Sequence, residues 1–159
     1  KATRHTKLVP TPFRFSTRIR FIDTDASGRI HYTTMFRYFE SAEIELLRSL
    51  GLTNDPGRSF AFPRVHVECD LLDAIEHDDI IEIEIRITHL GRSSIRFDFS
   101  TFKKTELVAR GSVVAACMDK IARCAIPIPD DVRAKLLPAL DKGRGSQDAS
   151  SAPARSRTS

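Results

Sequence analysis

Between Phe13 and Leu50 the spacing of the apolar residues changes once, from every second position to every third or fourth. Phe13, Phe15, Thr17, Ile19 and Phe21 face one way, and Arg14, Ser16, Arg18 and Arg20 face the other. A period of two predicts a strand, here running to Ile22. Met35, Phe39, Ala42, Leu46 and Leu50 then recur at helical spacing, with Phe36 and Leu47 widening the stripe. Arg37, Glu40, Glu43 and Arg48 are interleaved with them. This predicts a long amphipathic helix from about Thr33. Thr33 or Thr34 is placed to cap it, and Gly51 to stop it. The strand and the helix are joined by Asp23-Thr24-Asp25-Ala26-Ser27-Gly28, a run of turn formers.

Beyond a loop at 52–60 the period returns to two. Val65, Val67, Cys69 and Leu71 alternate with polar residues, as do Ile81, Ile83, Ile85 and Ile87, and then Ile95, Phe97 and Phe99. Val108 to Met118 is apolar almost throughout, which fits a central or an oligomer-facing strand. LGRSS at 90–94 and KKTE at 103–106 read as hairpin connections. A last strand is expected over Ile121 to Ile126, and a short helix over Pro129 to Leu140. One striped helix needs a large apolar surface to cover it, and the antiparallel sheet is the only one available. The expectation is an α+β domain with the sheet wrapped around one long central helix. The domain is placed at 13–142, after an N-terminal extension at 1–12. A Ser-, Ala-, Gly- and Arg-rich tail at 143–159 has no large apolar residue and is expected to stay disordered.

The 159 residues carry a net charge of +4, but it sits at the ends. Residues 1–7 contribute +3 and 143–159 contribute +2, leaving −1 for the domain between. A nucleic-acid face needs basic residues gathered on a folded element, so none is expected. No apolar run approaches the ~20 residues of a membrane span, and KATRHTKLVP holds no apolar core of a secretory signal. Cys69, Cys117 and Cys124 show no metal-binding spacing. They read as small buried hydrophobes in a reducing compartment, which points to the cytoplasm.

Three chemistries compete for the junction. D-x-D-x-S-G opens like a calcium loop, but such a loop needs a Glu at its twelfth position, where Thr34 stands, and a helix before it. A plain turn with a dipole-favoured Asp needs nothing more than these residues. The third reading is catalytic. A carboxylate ahead of a helix N-terminus stands beside free backbone N–H groups, which can hold the negative charge that develops on a carbonyl oxygen. The carboxylate can attack that carbonyl or activate a water. No G-x-S-x-G nucleophile elbow is present, so α/β-hydrolase chemistry is not expected.

The segment RFIDTDASGRIHYTTMFRYFESAEIELLRSLG resembles the opening of hotdog-fold acyl-CoA thioesterases of the 4-hydroxybenzoyl-CoA thioesterase and YbgC-like group. The resemblance is strong over 17–51 and weaker to about 128. It implies an acyl-CoA thioesterase in which Asp25 is nucleophile or general base. It also implies that the Tyr32 backbone N–H polarises the carbonyl and that Gly28 lets the loop turn and approach the substrate. Asp23 orients the loop. Many members have a His where Tyr32 stands, whereas His31 here is shifted by one and reads as a polar loop residue.

A second hotdog subgroup uses a helix-borne Glu, which makes Glu40 and Glu43 candidates, with Glu40 expected to be partly buried beside Phe39. Arg92, Ser93 and Ser94 are candidate coenzyme A contacts, with Arg58, Arg64 and Lys120 as further ones. Phe36, Phe39, Phe60 and Phe62 are candidates for an acyl pocket or for the core. No metal or other cofactor is implied, since coenzyme A is part of the substrate. The resemblance also implies a homodimer or homotetramer with sites between subunits. An acyl-carrier-protein thioesterase and a non-catalytic acyl-CoA-binding protein remain alternatives.

Overall fold

The computed structural model describes residues 11–143. The N-terminal extension and the tail expected at the two ends lie almost wholly outside them. Seven strands and two α-helices run in the order β1 (Phe13–Arg18), α1 (Met35–Ser49), β2 (Phe60–Ala61), β3 (Arg64–Leu71), β4 (Ile80–Leu90), β5 (Ser94–Lys103), β6 (Glu106–Ala116), β7 (Met118–Asp119) and α2 (Asp130–Leu136). Five of the strands form one antiparallel sheet in the order β1-β4-β5-β6-β3, and β2 pairs with β7 apart from it.

The long helix lies on the sheet as its stripe requires. Met35, Phe39, Ala42 and Leu46 are buried against Ile81, Ile83, Ile85, Phe97 and Phe99. Phe39 stacks on Phe99 with ring centroids 4.3 Å apart. Gly111 on β6 makes room for it: a Cβ there would come within 2.7 Å of the Phe39 ring and 2.4 Å of the Glu68 carbonyl. The apolar run at 108–118 covers most of the interior strand β6, between β5 and β3, and ends at Met118 on β7. Gly51 stops the helix, with its N–H on the Arg48 carbonyl and the Leu52 N–H on that of Leu47. Lys104, at φ +57°, turns the β5–β6 hairpin as the KKTE segment predicts.

Several local expectations are corrected. The first strand ends at Arg18, not Ile22, because the Ile19 N–H goes to Asp79 and the Arg20 N–H to the Tyr38 hydroxyl. Phe21–Asp23 is instead a 3-10 turn that leaves Phe21 and Ile22 exposed. No strand runs from Ile121 to Ile126. The Asp119 carboxylate accepts the N–H groups of Ile121 and Ala122, closing a turn that exposes Ile121 and Cys124. Cys124 is therefore not a core residue, whereas Cys117 is buried and Cys69 half-buried. Neither Thr33 nor Thr34 caps α1 through its side chain: Thr34 is buried with helical backbone angles, and His31 Nδ1 accepts the Thr33 N–H.

Candidate active site

The loop between the first strand and α1 is tied at its base and open at its tip. The His31 N–H donates to the Asp23 carbonyl at 2.9 Å, and the Asp25 N–H to the Arg29 carbonyl at 2.8 Å. Gly28 closes the tip at φ +78°, a conformation that costs an L side chain strain. A Cβ at Gly28 would meet no atom within 4 Å, so its conformation, not crowding within this chain, calls for glycine there. The base is pinned to the helix through Asp23, which is wholly buried. Its carboxylate accepts from the Tyr38 hydroxyl at 2.7 Å, Arg37 at 2.8 Å and Arg20 at 2.9 Å. Burial alone would raise the Asp23 pKa, but the Tyr38 hydroxyl and Arg20 outweigh it and hold the group below its usual value.

Asp25 opens the turn closed by the Gly28 N–H, and Tyr32 follows His31, whose N–H holds the Asp23 carbonyl. Asp25 is exposed. The Ser27 hydroxyl and the Ser27 N–H both donate to its Oδ1, and these bonds hold its pKa below the ordinary carboxylate value, with the nearby His31 adding to the effect. Ser27 thus occupies one carboxylate oxygen and leaves Oδ2 to reach outward. Among the described residues no acceptor receives the Tyr32 N–H, just ahead of the helix start. The Tyr32 ring is exposed and stacks on His31 at 4.6 Å. Asp25 is thus exposed and held ionised, and the Tyr32 amide, next in sequence to His31, has no acceptor among the described residues.

A cleft of about 380 Å³ opens along α1 one turn beyond Tyr32, between the helix and β3. Phe36, Glu40, Glu43, Phe62, Arg64 and Val67 line it; Asp25 does not. The helix carboxylates differ from expectation. Glu40 is exposed, and Glu43 is the buried one, paired with Arg64 Nη2. Burial pushes Glu43 up to about 7 against the opposing pull of Arg64. Of the four candidate pocket phenylalanines, Phe36 and Phe62 line the cleft, Phe39 is core, and Phe60 packs edge-on against Phe62.

The candidate coenzyme A contacts lie elsewhere. Arg92, Ser93 and Ser94 form the β4–β5 hairpin, while the Asp25 loop meets the start of β4 through Ile75, Glu76 and His77. The length of β4 separates them within one chain by roughly 30 Å. Arg58 is paired with Asp131, Arg64 with Glu43, and Lys120 with the Pro56 carbonyl, so each already has a partner. The Glu43–Arg64 pair was not legible as a unit, because only the packing of α1 on β3 brings the two together.

The thioesterase-like superfamily matches residues 19–136. The chain belongs to this family. It is 26% identical over 125 residues to the acyl-CoA thioesterase YbgC of Haemophilus influenzae, covering 77% of this chain and 92% of that one. It is 29% identical over 123 residues to a 1,4-dihydroxy-2-naphthoyl-CoA hydrolase of Synechococcus elongatus, covering 74% and 90%. A crystal structure from Aquifex aeolicus superposes with a TM-score of 0.74 at 28% identity, covering 79% of this chain and 99% of that one. The α+β hotdog architecture expected of this family is the one observed. Among the described residues no helix is long and apolar enough to cross a membrane.

Proposed function

We propose that this thioesterase-family protein hydrolyses acyl-CoA thioesters to a free acid and coenzyme A, with Asp25 as the working carboxylate. The observation that supports the reading is an exposed, ionised Asp25 and an unpaired Tyr32 N–H in one short segment whose base the buried Asp23 pins to α1. The Tyr32 amide holds the carbonyl oxygen as its charge grows. Asp25 either attacks the carbonyl carbon or draws a proton from the attacking water. Its lowered pKa keeps Asp25 ionised for either role. By attack, the coenzyme A thiolate leaves and water then hydrolyses the acyl-aspartate; by base catalysis, water adds directly to the carbonyl and the thiolate leaves. Gly28 gives the loop its turn. Glu40, exposed on the cleft wall, is the second carboxylate candidate for catalysis.

A second copy completes the site. β3 is a sheet edge, and Val65, Val67 and Leu71 on it are exposed. Such an edge invites pairing. Antiparallel pairing of β3 with its counterpart sets the Arg64 end of one copy beside the Leu71 end of the other. The second copy's β4–β5 hairpin, with Arg92, Ser93 and Ser94, then lies at the same end of the joined sheet as the Asp25 loop, placed to meet the coenzyme A portion of the substrate. The minimal unit is a homodimer. Three unpaired cysteines support a reducing, cytoplasmic setting.

The test is thiol release from a panel of short, long and aromatic acyl-CoAs, each matched with the same acyl group on acyl-carrier protein. Faster turnover of the coenzyme A esters is expected. Preference for the carrier protein would move the substrate class, and tight binding with no turnover of any thioester would make this a binding protein.

A further inference from the structure

The Asp25 loop is gripped from two sides, and Asp23 accounts for the helix side alone. On the other side lies the segment 72–79, which leaves the edge strand β3 and passes the ends of β6 and β5 to reach β4. Three strand spacings separate its ends, roughly 14 Å, so the segment forms a strap. Its first N–H groups, those of Leu72 and Asp73, donate to the Val108 carbonyl. Its last turn is fastened just past β1, where the Asp78 N–H donates to the Ile19 carbonyl and the Ile19 N–H to the Asp79 carbonyl. The middle of the strap is the part that meets the loop. The Ile30 N–H donates to the Ile75 carbonyl at 2.7 Å and the His77 N–H to the Gly28 carbonyl at 3.4 Å, while Arg29 and Glu76 form an antiparallel bridge.

Two residues hold that middle down. Ile75 is buried in the core. Lys103, at the end of β5, clips the strap: its Nζ donates to the Ala74 carbonyl at 3.0 Å and to Asp79 Oδ2 at 3.1 Å, and the same Oδ2 accepts the Glu76 N–H at 2.8 Å. The ammonium thus ties Ala74 and Asp79, which bracket Ile75, Glu76 and His77. We propose that Lys103 is a positioning residue for thioester hydrolysis, acting through the strap to hold the Asp25–Gly28 turn in place. The inference rests on the thioesterase reading above. Lys103 itself bonds neither Asp25 nor Tyr32. Its pair with Asp79 adds little to global stability, because the two side chains are 28% and 24% exposed and water screens them. What the clip fixes is geometry, and a displacement of about 1 Å at a catalytic group can cost on the order of 100-fold in rate.

The experiment compares the wild type, Lys103→Met and Lys103→Arg by steady-state thiol release from the best acyl-CoA of the panel, by thermal melting, and by amide hydrogen exchange followed by NMR. In Lys103→Met, kcat is expected to fall about tenfold or more with KM within about twofold of the wild type. Exchange of the Ile30 and Glu76 N–H groups is expected to quicken about tenfold while the amides of α1 stay protected, the pattern of a local opening and not of a weakened fold. Lys103→Arg keeps the charge and the donors, and is expected to restore both readouts. Where Lys103→Met does not fold, Asp79→Ala gives the same answer, since it removes the carboxylate that Lys103 and the Glu76 N–H share. An unchanged kcat, a loss carried by KM alone, unchanged exchange at Ile30 and Glu76, or exchange that quickens equally along the whole chain would each overturn the inference and leave the thioesterase reading standing. A wild type that turns over no acyl-CoA would overturn both.

Discussion

Asp23 and Asp25 are two residues apart and live in opposite environments. Asp23 is sealed under Arg20, Arg37 and Tyr38, while Asp25 stands in solvent with one oxygen on Ser27. Asp23→Ala strands the buried Tyr38 hydroxyl and frees the loop, at a cost of about 2 kcal/mol. Urea denaturation checks the stability loss, and a larger fall in kcat than rise in KM checks the positioning role. Glu43 adds a pH signature. Its pKa is about 7 in the fold against an ordinary 4.5, so the folded state binds the extra proton between those values. Its contribution is fully present below about pH 4.5 and is lost as pH rises through about 7. Between pH 5 and 8 the wild type is therefore expected to lose up to about 3 kcal/mol relative to Glu43→Gln. Parallel stability curves for the two proteins over that range would contradict this assignment. The family resemblance names Asp25 as the catalytic carboxylate, Asp23 as the residue that orients the loop, and Glu40 and Glu43 as helix candidates, with Glu40 expected to be the partly buried one. Spacing alone did not distinguish Glu43 from Glu40, because burial of Glu43 depends on Arg64, 21 positions along the chain.

At the scale of elements, period carried most of the information. The stripe from Met35 to Leu46 and the alternations in β4 and β5 are found where they were expected, because each reflects one face meeting one core, whereas β3 forms a strand where its alternation predicts one but leaves Val65, Val67 and Leu71 exposed. The errors fall where backbone hydrogen bonds leave the local pattern. Phe21 continues the alternation in sequence, yet the chain has already bent so that Arg20 can bond Tyr38. Ile121 to Ile126 reads as apolar, but the Asp119 side chain takes over its first N–H groups and closes a turn. Gly111 is the contact between layers that no periodicity could show. Gly111→Ala is expected to cost about 2 kcal/mol, since a Cβ would clash with the Glu68 carbonyl and the Phe39 ring and force the helix off the sheet. Loss of thermal stability measured by circular dichroism would bear this out; an unchanged melting temperature would not.

For the whole molecule, the open question of structure is what covers β3. Its exposed valines flank an unpaired edge at the mouth of the cleft, and the hairpin carrying Arg92 lies too far from Asp25 to serve it within one chain. In the proposed dimer, antiparallel pairing covers that edge. Val65→Lys is expected to leave the monomer fold intact, because the side chain is 62% exposed. It should still shift sedimentation from dimer to monomer and lower activity with it. A dimer that survives this change unaltered would place the interface elsewhere. The central claim is narrower and is tested by one comparison: steady-state hydrolysis of a good acyl-CoA substrate by the wild type and by Asp25→Asn at equal protein concentration and equal oligomeric state. A fall in kcat of about 100-fold or more with melting temperature retained is predicted, the loss associated with removing a working carboxylate. Wild-type turnover by folded Asp25→Asn would contradict it.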